Sequence, residues 1–545
     1  MKKNTMATAI IAGLAGVAGI ANISTAVNVN PDGVGQVLLY PYYTVNDGNI
    51  TALSVVNTTE QGKAVKVRFL DAMNSREVLD FNLYLSAFDV WTAVLQQAED
   101  PAGPAIIYTR DNSCTVPGIK SGIFILPTLP PAQGGHRYFP FRTTFFTDSG
   151  LAGATTRAKG PTSGNARTRS GYVEMIEMGR MDPRTGFGNA LTHNDSGVPN
   201  NCAALERAWL ATGTATGTGE WLPPNQVGAQ DVEEPIGGLF GGAAIVKVSE
   251  GTFINYNAEA IDGFSVTRIH SAPGSDVPNL LSANSLVAQQ VTSYVFDRGR
   301  LITSNWDTRN NGSVDAVSAV LMREAVFNEW EADENFGSAS EWIVTFPTKR
   351  FYVSSATAAR APFGTTNPAG SGWGFCERFS GRIYDREERT FQLLEASPAT
   401  GFTTVCREAN VLWFQDRNRY GSNFSPVTGE PAFLQIPTYF ELFQQVQYTF
   451  NKGWFWMGFY DLDAIDNAGL PNALARRPLV ESGVGIADID RDQFFGLPAI
   501  GFWALKVTNL NQGAGLQATY GGAYPHRASR RCHQIDAQGV RSPCD

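Results

Sequence analysis

The amino-acid sequence predicts a mainly β protein with long loops, and three observations support this fold class. First, the 545 residues include 33 Phe, 17 Tyr and 11 Trp, and aromatic residues favour the pleated, half-buried surface of a strand. Second, 55 Gly and 29 Pro favour the turns that connect strands. Third, several short segments alternate apolar and polar side chains with a period of two residues, which is typical of a half-buried strand. We therefore expect a mainly β fold with one or two helices.

The first 26 residues predict a secretory signal peptide. Lys2 and Lys3 give a basic start, residues 7–21 form an uncharged run of small and aliphatic side chains, and Ser24-Thr25-Ala26 suits cleavage after Ala26. The run is too short to span a membrane. We expect a secreted bacterial protein that begins near Val27, has no transmembrane span, and lies outside the cell, at its surface or in the periplasm.

Residues 27–126 contain the clearest series of short strands. Three segments, 37–43, 53–57 and 65–70, are separated by turn residues, and a fourth, 79–85, alternates apolar residues with Asp80, Asn82 and Tyr84. Strands of this length and spacing resemble those of an immunoglobulin-like β-sandwich. The resemblance implies a sandwich domain over residues 27–126, followed by a larger β-rich region.

The remainder is predicted to contain two further β-rich regions and a tail. Residues 127–270 combine a long Gly- and Pro-rich insertion with a strand at 171–179, a short helix at 201–212 and a hairpin at 241–256. Residues 271–526 form the second region; its apolar periodicity predicts a helix over 314–330, and strands are expected at 342–347, 351–353 and 454–460. Residues 527–545 are expected to form a basic tail.

Composition and charge argue for a folded chain and against nucleic-acid binding. Hydrophobic residues make up 43% of the chain, and the formal net charge is −9. An acidic surface repels phosphate backbones, and no Lys/Arg block interleaved with aromatic residues occurs. The one basic cluster, which could contact acidic envelope sugars, is better explained as a solvated tail. It contains Arg527, Arg530, Arg531 and Arg541.

Six cysteines in an exported chain predict disulfides rather than a metal site, because no Cys-x-x-Cys pair occurs. Pairing by neighbourhood joins Cys376 to Cys406 and Cys532 to Cys544, which leaves Cys114 for Cys202. Fifteen connectivities remain open on sequence grounds.

No catalytic motif stands out. Glu174 and Glu177 are close in sequence, but residues three apart on a strand point to opposite faces, so the two carboxylates are not expected to act on one glycosidic bond. The five histidines lack zinc-like spacing, and neither a Gly-x-Ser-x-Gly elbow nor a phosphate loop is present. A dispersed catalytic triad is recognised only by geometry.

Calcium is the only cofactor that the sequence suggests. Two groups of aspartates can direct several oxygens at one hard cation. They are Asp461, Asp463 and Asp466, and Asp488, Asp490 and Asp492. The segment 307–315 departs from the EF-hand pattern at Arg309 and Ser318, so a polar turn that caps the following helix is the better interpretation.

The strand at 454–460 is aromatic on both faces, with Trp454 and Trp456 on one and Phe455 on the other. Aromatic rows can stack on sugar rings, but two apolar faces favour a strand buried between layers.

The export signal, acidity and β-rich composition resemble those of uncharacterised surface-layer-like secreted proteins of Gram-negative bacteria. This resemblance implies a non-catalytic structural or adhesive protein that associates with itself or with an envelope or extracellular glycan. The alternative is a secreted protein that binds or hydrolyses carbohydrate.

Overall fold

The computed structural model describes most of the chain and confirms a mainly β fold. The described residues are 26–125, 137–143, 164–210, 219–222, 231–333, 336–353, 359–363, 377–393, 404–405, 407–416, 434, 443–448, 451–459, 478–483, 491–509, 513, 518–536, 538 and 540–544.

The strands of the first 307 residues supply the two largest sheets. In chain order they are β1 (Val27–Val29), β2 (Val37–Thr44), β3 (Ile50–Asn57), β4 (Gly62–Asp71), β5 (Glu77–Leu85), β6 (Val90–Gln97), β7 (Ala105–Tyr108), β8 (Cys114–Val116), β9 (Phe124–Ile125), β10 (Arg137–Pro140), β11 (Ser170–Met181), β12 (Leu239–Lys247), β13 (Thr252–Asn257), β14 (Glu259–Asp262), β15 (Gln290–Asp297) and β16 (Arg300–Asp307).

The later strands are shorter on average and form smaller sheets. They are β17 (Met322–Arg323), β18 (Ala325–Glu331), β19 (Ser338–Thr345), β20 (Glu377–Arg378), β21 (Ser380–Asp385), β22 (Thr390–Leu393), β23 (Thr404–Val405), β24 (Ala409–Asp416), β25 (Phe443–Tyr448), β26 (Lys452–Gly458), β27 (Leu479–Val480), β28 (Gln493–Phe494), β29 (Leu497–Pro498), β30 (Ile500–Val507), β31 (Tyr520–Pro525), β32 (Arg527–Ser529), β33 (Cys532–Ile535) and β34 (Arg541–Pro543).

The helices of the described residues are few and short. The α-helices are α1 (Gly186–Leu191), α2 (Cys202–Ala208), α3 (Gly312–Leu321) and α4 (Arg350–Val353). Single 3₁₀ turns occur at Asn46–Gly48, Leu280–Ser282 and Thr308–Asn310, and a longer 3₁₀ segment at Gly164–Arg169.

Two large sheets dominate the N-terminal half. Sheet A has the order β16-β15-β1-β14-β2-β11-β4-β5-β8, and sheet B has the order β13-β12-β3-β6-β7-β10-β9. Strands from residues 170–307 therefore complete sheets that begin within residues 27–126; β11, for example, lies between β2 and β4. This pairing does not confirm the immunoglobulin-like arrangement of the N-terminal segment.

Five smaller sheets follow among the described residues, and two of them have only two strands, β17 with β29 and β20 with β23. Sheet C has the order β25-β24-β19-β30-β31, sheet D the order β22-β21-β26-β18-β32, and sheet E the order β27-β28-β33-β34. Buried side chains of sheets A, B and C meet in one hydrophobic core, in which Phe81 contacts Trp91 at a ring-centroid distance of 5.6 Å. A second core packs the other side of sheet C against sheet D and α3, and there Trp342 contacts Phe455 at 5.0 Å.

The predicted helix at 314–330 is only half correct. The helix spans Gly312–Leu321, every residue of which is buried, and Met322 then adopts an extended conformation. The prediction for 322–330 is wrong, because this stretch forms β17 and β18 instead. The physical reason is tertiary pairing: each of the seven residues of β18 has a register partner in β26, and Val326 and Trp330 enter the core.

Two further predictions from sequence also need correction. Residues 351–353, expected as a strand, lie in α4, where Tyr352 is anchored to α3 by hydrogen bonds to the side chains of Asp315 and Ser318. The tail is not simply solvated, because Arg527–Ser529 adds a strand to sheet D and Arg530 donates to the carbonyl oxygen of Val320 at 2.9 Å. Burial lowers the pKa of Arg530 to about 9.

Candidate functional site

The outer face of sheet B carries a groove of about 600 Å³ that opens to solvent. Its formation follows from the alternation of β3, in which Leu53 and Val55 point into the core while Ala52 and Ser54 face outward. The same alternation along β12 buries Ala243 and Ile245 and turns Gly242 and Ala244 outward.

The strand register brings small residues together as the floor of the groove. One row across the sheet joins Asn257, Gly242, Ser54 and Thr92. The adjacent row joins Asn255, Ala244, Ala52, Val94 and Tyr108. Since neighbouring strands lie about 4.8 Å apart, four spacings from β13 to β7 make the longer row about 19 Å long.

Larger polar side chains lie at the two ends of the groove. Asn255 and Asn257 on β13 lie at one end, and Tyr108 and Arg110 at the end of β7 lie at the other. Apolar rows border the floor along the strand direction. On one side Phe240 and Val90 are 42% and 46% exposed, and on the other Phe253 is 54% exposed. The groove is therefore a polar strip between apolar borders, and Arg110 is the one charged residue among the described residues that line it.

The paired glutamates do not form a hydrolytic pair. Glu174 is bound by Arg68, whose Nη1 lies 3.1 Å from Oε2. Glu177 instead accepts from Lys63 Nζ at 2.7 Å and from the backbone amides of Ile236 and Gly237. Burial raises the pKa of Glu177, and the charge of Lys63 opposes that rise. Each carboxylate thus serves a separate buried ion pair, in line with the sequence argument that they do not act together.

One Ser-His-Asp cluster exists, but its geometry is not that of a catalytic triad. Ser86 Oγ lies 2.9 Å from Nδ1 of His193, and Asp89 Oδ2 lies 3.7 Å from the same nitrogen. A triad requires the carboxylate on one ring nitrogen and the hydroxyl on the other. Asp89 also accepts from the backbone amide of Ser86 and the hydroxyl of Ser113, so the cluster secures a turn.

Of the six aspartates predicted to bind calcium, Asp492 alone lies among the described residues. Asp492 is 2% exposed, and its carboxylate accepts from Ser304 Oγ at 2.6 Å and from Gln534 Nε2 at 3.0 Å. The sulfur atoms of Cys532 and Cys544 lie nearby, but their disulfide removes them as metal ligands. Outside the described residues lie Asp461, Asp463, Asp466, Asp488 and Asp490, so calcium at those positions stays a prediction.

The segment 307–315 is a polar turn only as far as Asn311, because residues 312–315 already belong to the buried helix α3. The predicted capping of that helix is not observed, because the N-cap residue Asn311 makes no side-chain hydrogen bond to it. The side chain of Asp307 accepts from the backbone amide of Arg309 and caps the 3₁₀ turn before α3. The carboxylate of Asp315 is paired with Arg360 at 2.8 Å and accepts from the Tyr352 hydroxyl.

Two of the three predicted disulfides are present. Cys114 is bonded to Cys202, with 5.2 Å between the Cα atoms, and Cys532 is bonded to Cys544, with 5.4 Å. The first ties β8 to α2 beside a buried aromatic cluster of sheet A. The predicted pair Cys376 and Cys406 lies outside the described residues, and so does the predicted signal peptide apart from Ala26.

The aromatic strand at 454–460 is not buried on both faces, which corrects the sequence interpretation. Phe455, Met457 and Phe459 are fully buried, but Trp454 is 41% exposed and Trp456 is partly exposed on the outer face of sheet D. Among the described residues, a layer packs against only the inner face of sheet D, and the outer face leaves Trp454 and Trp456 partly open to solvent.

In the described part of the chain, no helix is long and apolar enough to cross a membrane. Comparison with family models, curated proteins and solved structures returned no match for this chain. The surface of the described residues is therefore the basis for the function proposed below. Sequence reasoning did not find the groove residues, because Asn255, Tyr108 and Ser54 come from separate strands that only the register unites.

Proposed function

We propose that this chain is an exported, non-catalytic binding protein of the cell envelope or extracellular space, and that it adheres to a glycan through the groove on sheet B. The observation that carries the proposal is the groove itself, which is an open strip about 19 Å long with a floor of Ala, Gly and Ser residues and side-chain amides at one end.

The nature of the groove favours a hydroxyl-rich ligand over a peptide strand. The floor belongs to β12, β3 and β6, each of which is paired on both sides, so their backbone groups are occupied by the sheet. A ligand on the floor is therefore recognised by side chains. Amides, hydroxyls and a phenol both donate and accept hydrogen bonds, which matches the alternating hydroxyls of a sugar chain.

The borders of the groove supply the complementary apolar contacts. Sugar rings present C–H faces as well as hydroxyls, and the exposed rings of Phe240 and Phe253 flank the polar strip. Because Arg110 is the one charged lining residue, a neutral glycan suits the groove best. The described residues of the lining include no carboxylate, and Glu174 and Glu177 are paired with the buried side chains of Arg68 and Lys63 elsewhere. Binding is therefore favoured over hydrolysis.

Isothermal titration of the purified chain with neutral oligosaccharides, such as maltohexaose, cellohexaose and hexa-N-acetylchitohexaose, tests the proposal. Ala52→Arg fills the floor and is expected to weaken binding by about tenfold or more, and Asn255→Ala with Asn257→Ala is expected to weaken it by about tenfold. Thr303→Arg is the matched control, because Thr303 is an exposed outward position of β16 in another sheet. Chromatography of the ligands after incubation reports any cleavage.

The proposal is wrong if no neutral glycan binds, if Ala52→Arg binds as tightly as the unchanged chain, or if the ligand is cut. Surface-layer-like self-association stays a separate prediction from the sequence. Light scattering and electron microscopy with Ca²⁺ and then with a chelator test it.

A further inference from the structure

We propose a second binding site, on the outer face of sheet D, where Trp456, Arg382 and Arg527 bind an acidic, carboxylate-bearing glycan. This site lies on a different sheet from the groove and takes a ligand of different charge, so it goes beyond the function proposed above.

The register of sheet D places the three side chains in one outward row. On β26, Trp456 is the cross-strand partner of Arg382 on one side and of Phe327 on the other. Phe327 is in turn the partner of Arg527 on β32. Both arginines are exposed, and Trp456 and Phe327 are partly exposed. Three strand spacings separate the two arginines by about 14 Å, with the aromatic rings between them.

The indole of Trp456 lies along the sheet rather than away from it. Its six-membered ring covers Gly458, so closely that a Cβ atom there would collide with it. The row beneath the ring is small throughout, since Gly458 pairs with Ser380 on one side and Ala325 on the other. A flat aromatic surface of this kind is suited to the C–H face of a sugar ring.

A stacked pair of aromatic side chains lies beside the surface formed by Trp456. The rings of Tyr384 and Trp454 stack with centroids 4.3 Å apart and an interplanar angle of 8°. The next outward row consists of this stack and the exposed Glu329, which is the partner of Trp454 on β18, and Trp454 is 41% exposed. Two aromatic side chains held against each other lose little freedom when a ligand arrives, which favours binding.

The charges of the row select the class of ligand. The guanidinium carbon of Arg382 lies 5.4 Å from the ring centroid of Trp456, and none of the described carboxylates lies within 4.0 Å of a nitrogen of Arg382 or Arg527. In a chain of net charge −9, two exposed arginines that have no acidic partner among the described residues are suited to an anionic ligand. They also disfavour a cationic ligand on the same aromatic surface.

Titration of the purified full chain with hexagalacturonate, against maltohexaose as the neutral probe, tests the site. We expect hexagalacturonate to bind, with an affinity that falls as salt rises because the arginines are exposed. Trp456→Ala, and Arg382→Ala with Arg527→Ala, are each expected to weaken binding by about tenfold or more. Arg541→Ala is the matched control, because Arg541 is an exposed arginine of the C-terminal hairpin.

A further variant tests whether a loss of hexagalacturonate binding is caused by misfolding. Gly458→Ala keeps every binding side chain but displaces the indole, so it is expected to weaken hexagalacturonate binding while the circular dichroism spectrum stays unchanged. Ala52→Arg, in the groove, should leave hexagalacturonate binding intact, which separates the failure of one site from the failure of the other.

Three outcomes overturn the inference: the unchanged chain does not bind hexagalacturonate, Trp456→Ala binds it equally well, or the face binds a nucleotide such as GMP in preference to the acidic sugar.

Discussion

The buried pair of Lys63 and Glu177 gives the sharpest stability prediction. Both side chains are 0% exposed, and Lys63 Nζ lies 2.7 Å from Glu177 Oε1 and 2.8 Å from the carbonyl oxygen of Gly237. The glutamate also accepts from the amides of Ile236 and Gly237. The pair therefore fastens the segment before β12 to the centre of sheet A.

Lys63→Met removes the cation and leaves a buried carboxylate with two amide donors alone. Breaking a buried pair in this way costs about 3–5 kcal/mol, because the remaining charge has lost its partner without regaining water. In the double variant with Glu177→Gln no charge is left, and the carboxamide oxygen of the substituted side chain still accepts from a backbone amide. We expect the double variant to recover about 2 kcal/mol of that loss.

Urea unfolding at neutral pH, followed by circular dichroism for both single variants and the double variant, measures the coupling between the two residues. Arg184→Ala is the matched control, since Arg184 pairs with Asp182 on the surface with its side chain 88% exposed, and we expect no measurable change. Additive single effects, each below about 1 kcal/mol, would refute the reasoning, because a desolvated pair cannot be lost without coupling.

Two further predictions concern pH and the disulfide of sheet A. Burial raises the pKa of Glu408 to about 7, against the opposing charges of Lys349 and Arg350, so the folded state holds this proton more tightly than the unfolded state. The resulting stability is complete below the ordinary carboxyl pKa of about 4.5 and is lost as pH rises through about 7. Glu408→Gln should therefore flatten the fall in unfolding free energy over that pH range. Urea titrations at successive pH values measure this, and an unchanged slope contradicts the prediction. Replacing Cys114 and Cys202 together by alanine removes a disulfide between residues 88 positions apart and should lower the free energy of unfolding by about 2–5 kcal/mol. Thermal unfolding without reductant measures this change. A loss below about 1 kcal/mol would show that the disulfide adds little to the stability of this part of the fold.

Part of the fold could be predicted because the relevant signals are local. The hairpin at 241–256 is present as β12 and β13, and the strand predicted at 171–179 lies within β11. The short helix near residue 201 begins as expected, because the side chain of Asn201 accepts from the backbone amide of Ala204. Each signal lies within a few residues of the feature that it predicts.

The candidate sites could not be predicted in the same way. Sequence periodicity says which residues share a face of a strand but not whether a second layer covers that face, and this is why Trp454 and Trp456 were expected in a core. In the same way, the apolar period of three and four residues continued past Leu321, but pairing with β26 drew residues 325–331 into a strand. Longer-range contacts outweighed the local preference.

The sequence by itself determined the mainly β class, the outward and inward alternation along β3 and β12, and the supply of aromatic, glycine and cysteine residues. Only the tertiary structure decided which strands are neighbours, and with that the groove on sheet B, the aromatic row on sheet D and the pairing of Lys63 with Glu177. The physical reason is that a strand's hydrogen bonds are satisfied equally well by many partners, so its neighbours are chosen by side-chain packing across the whole chain.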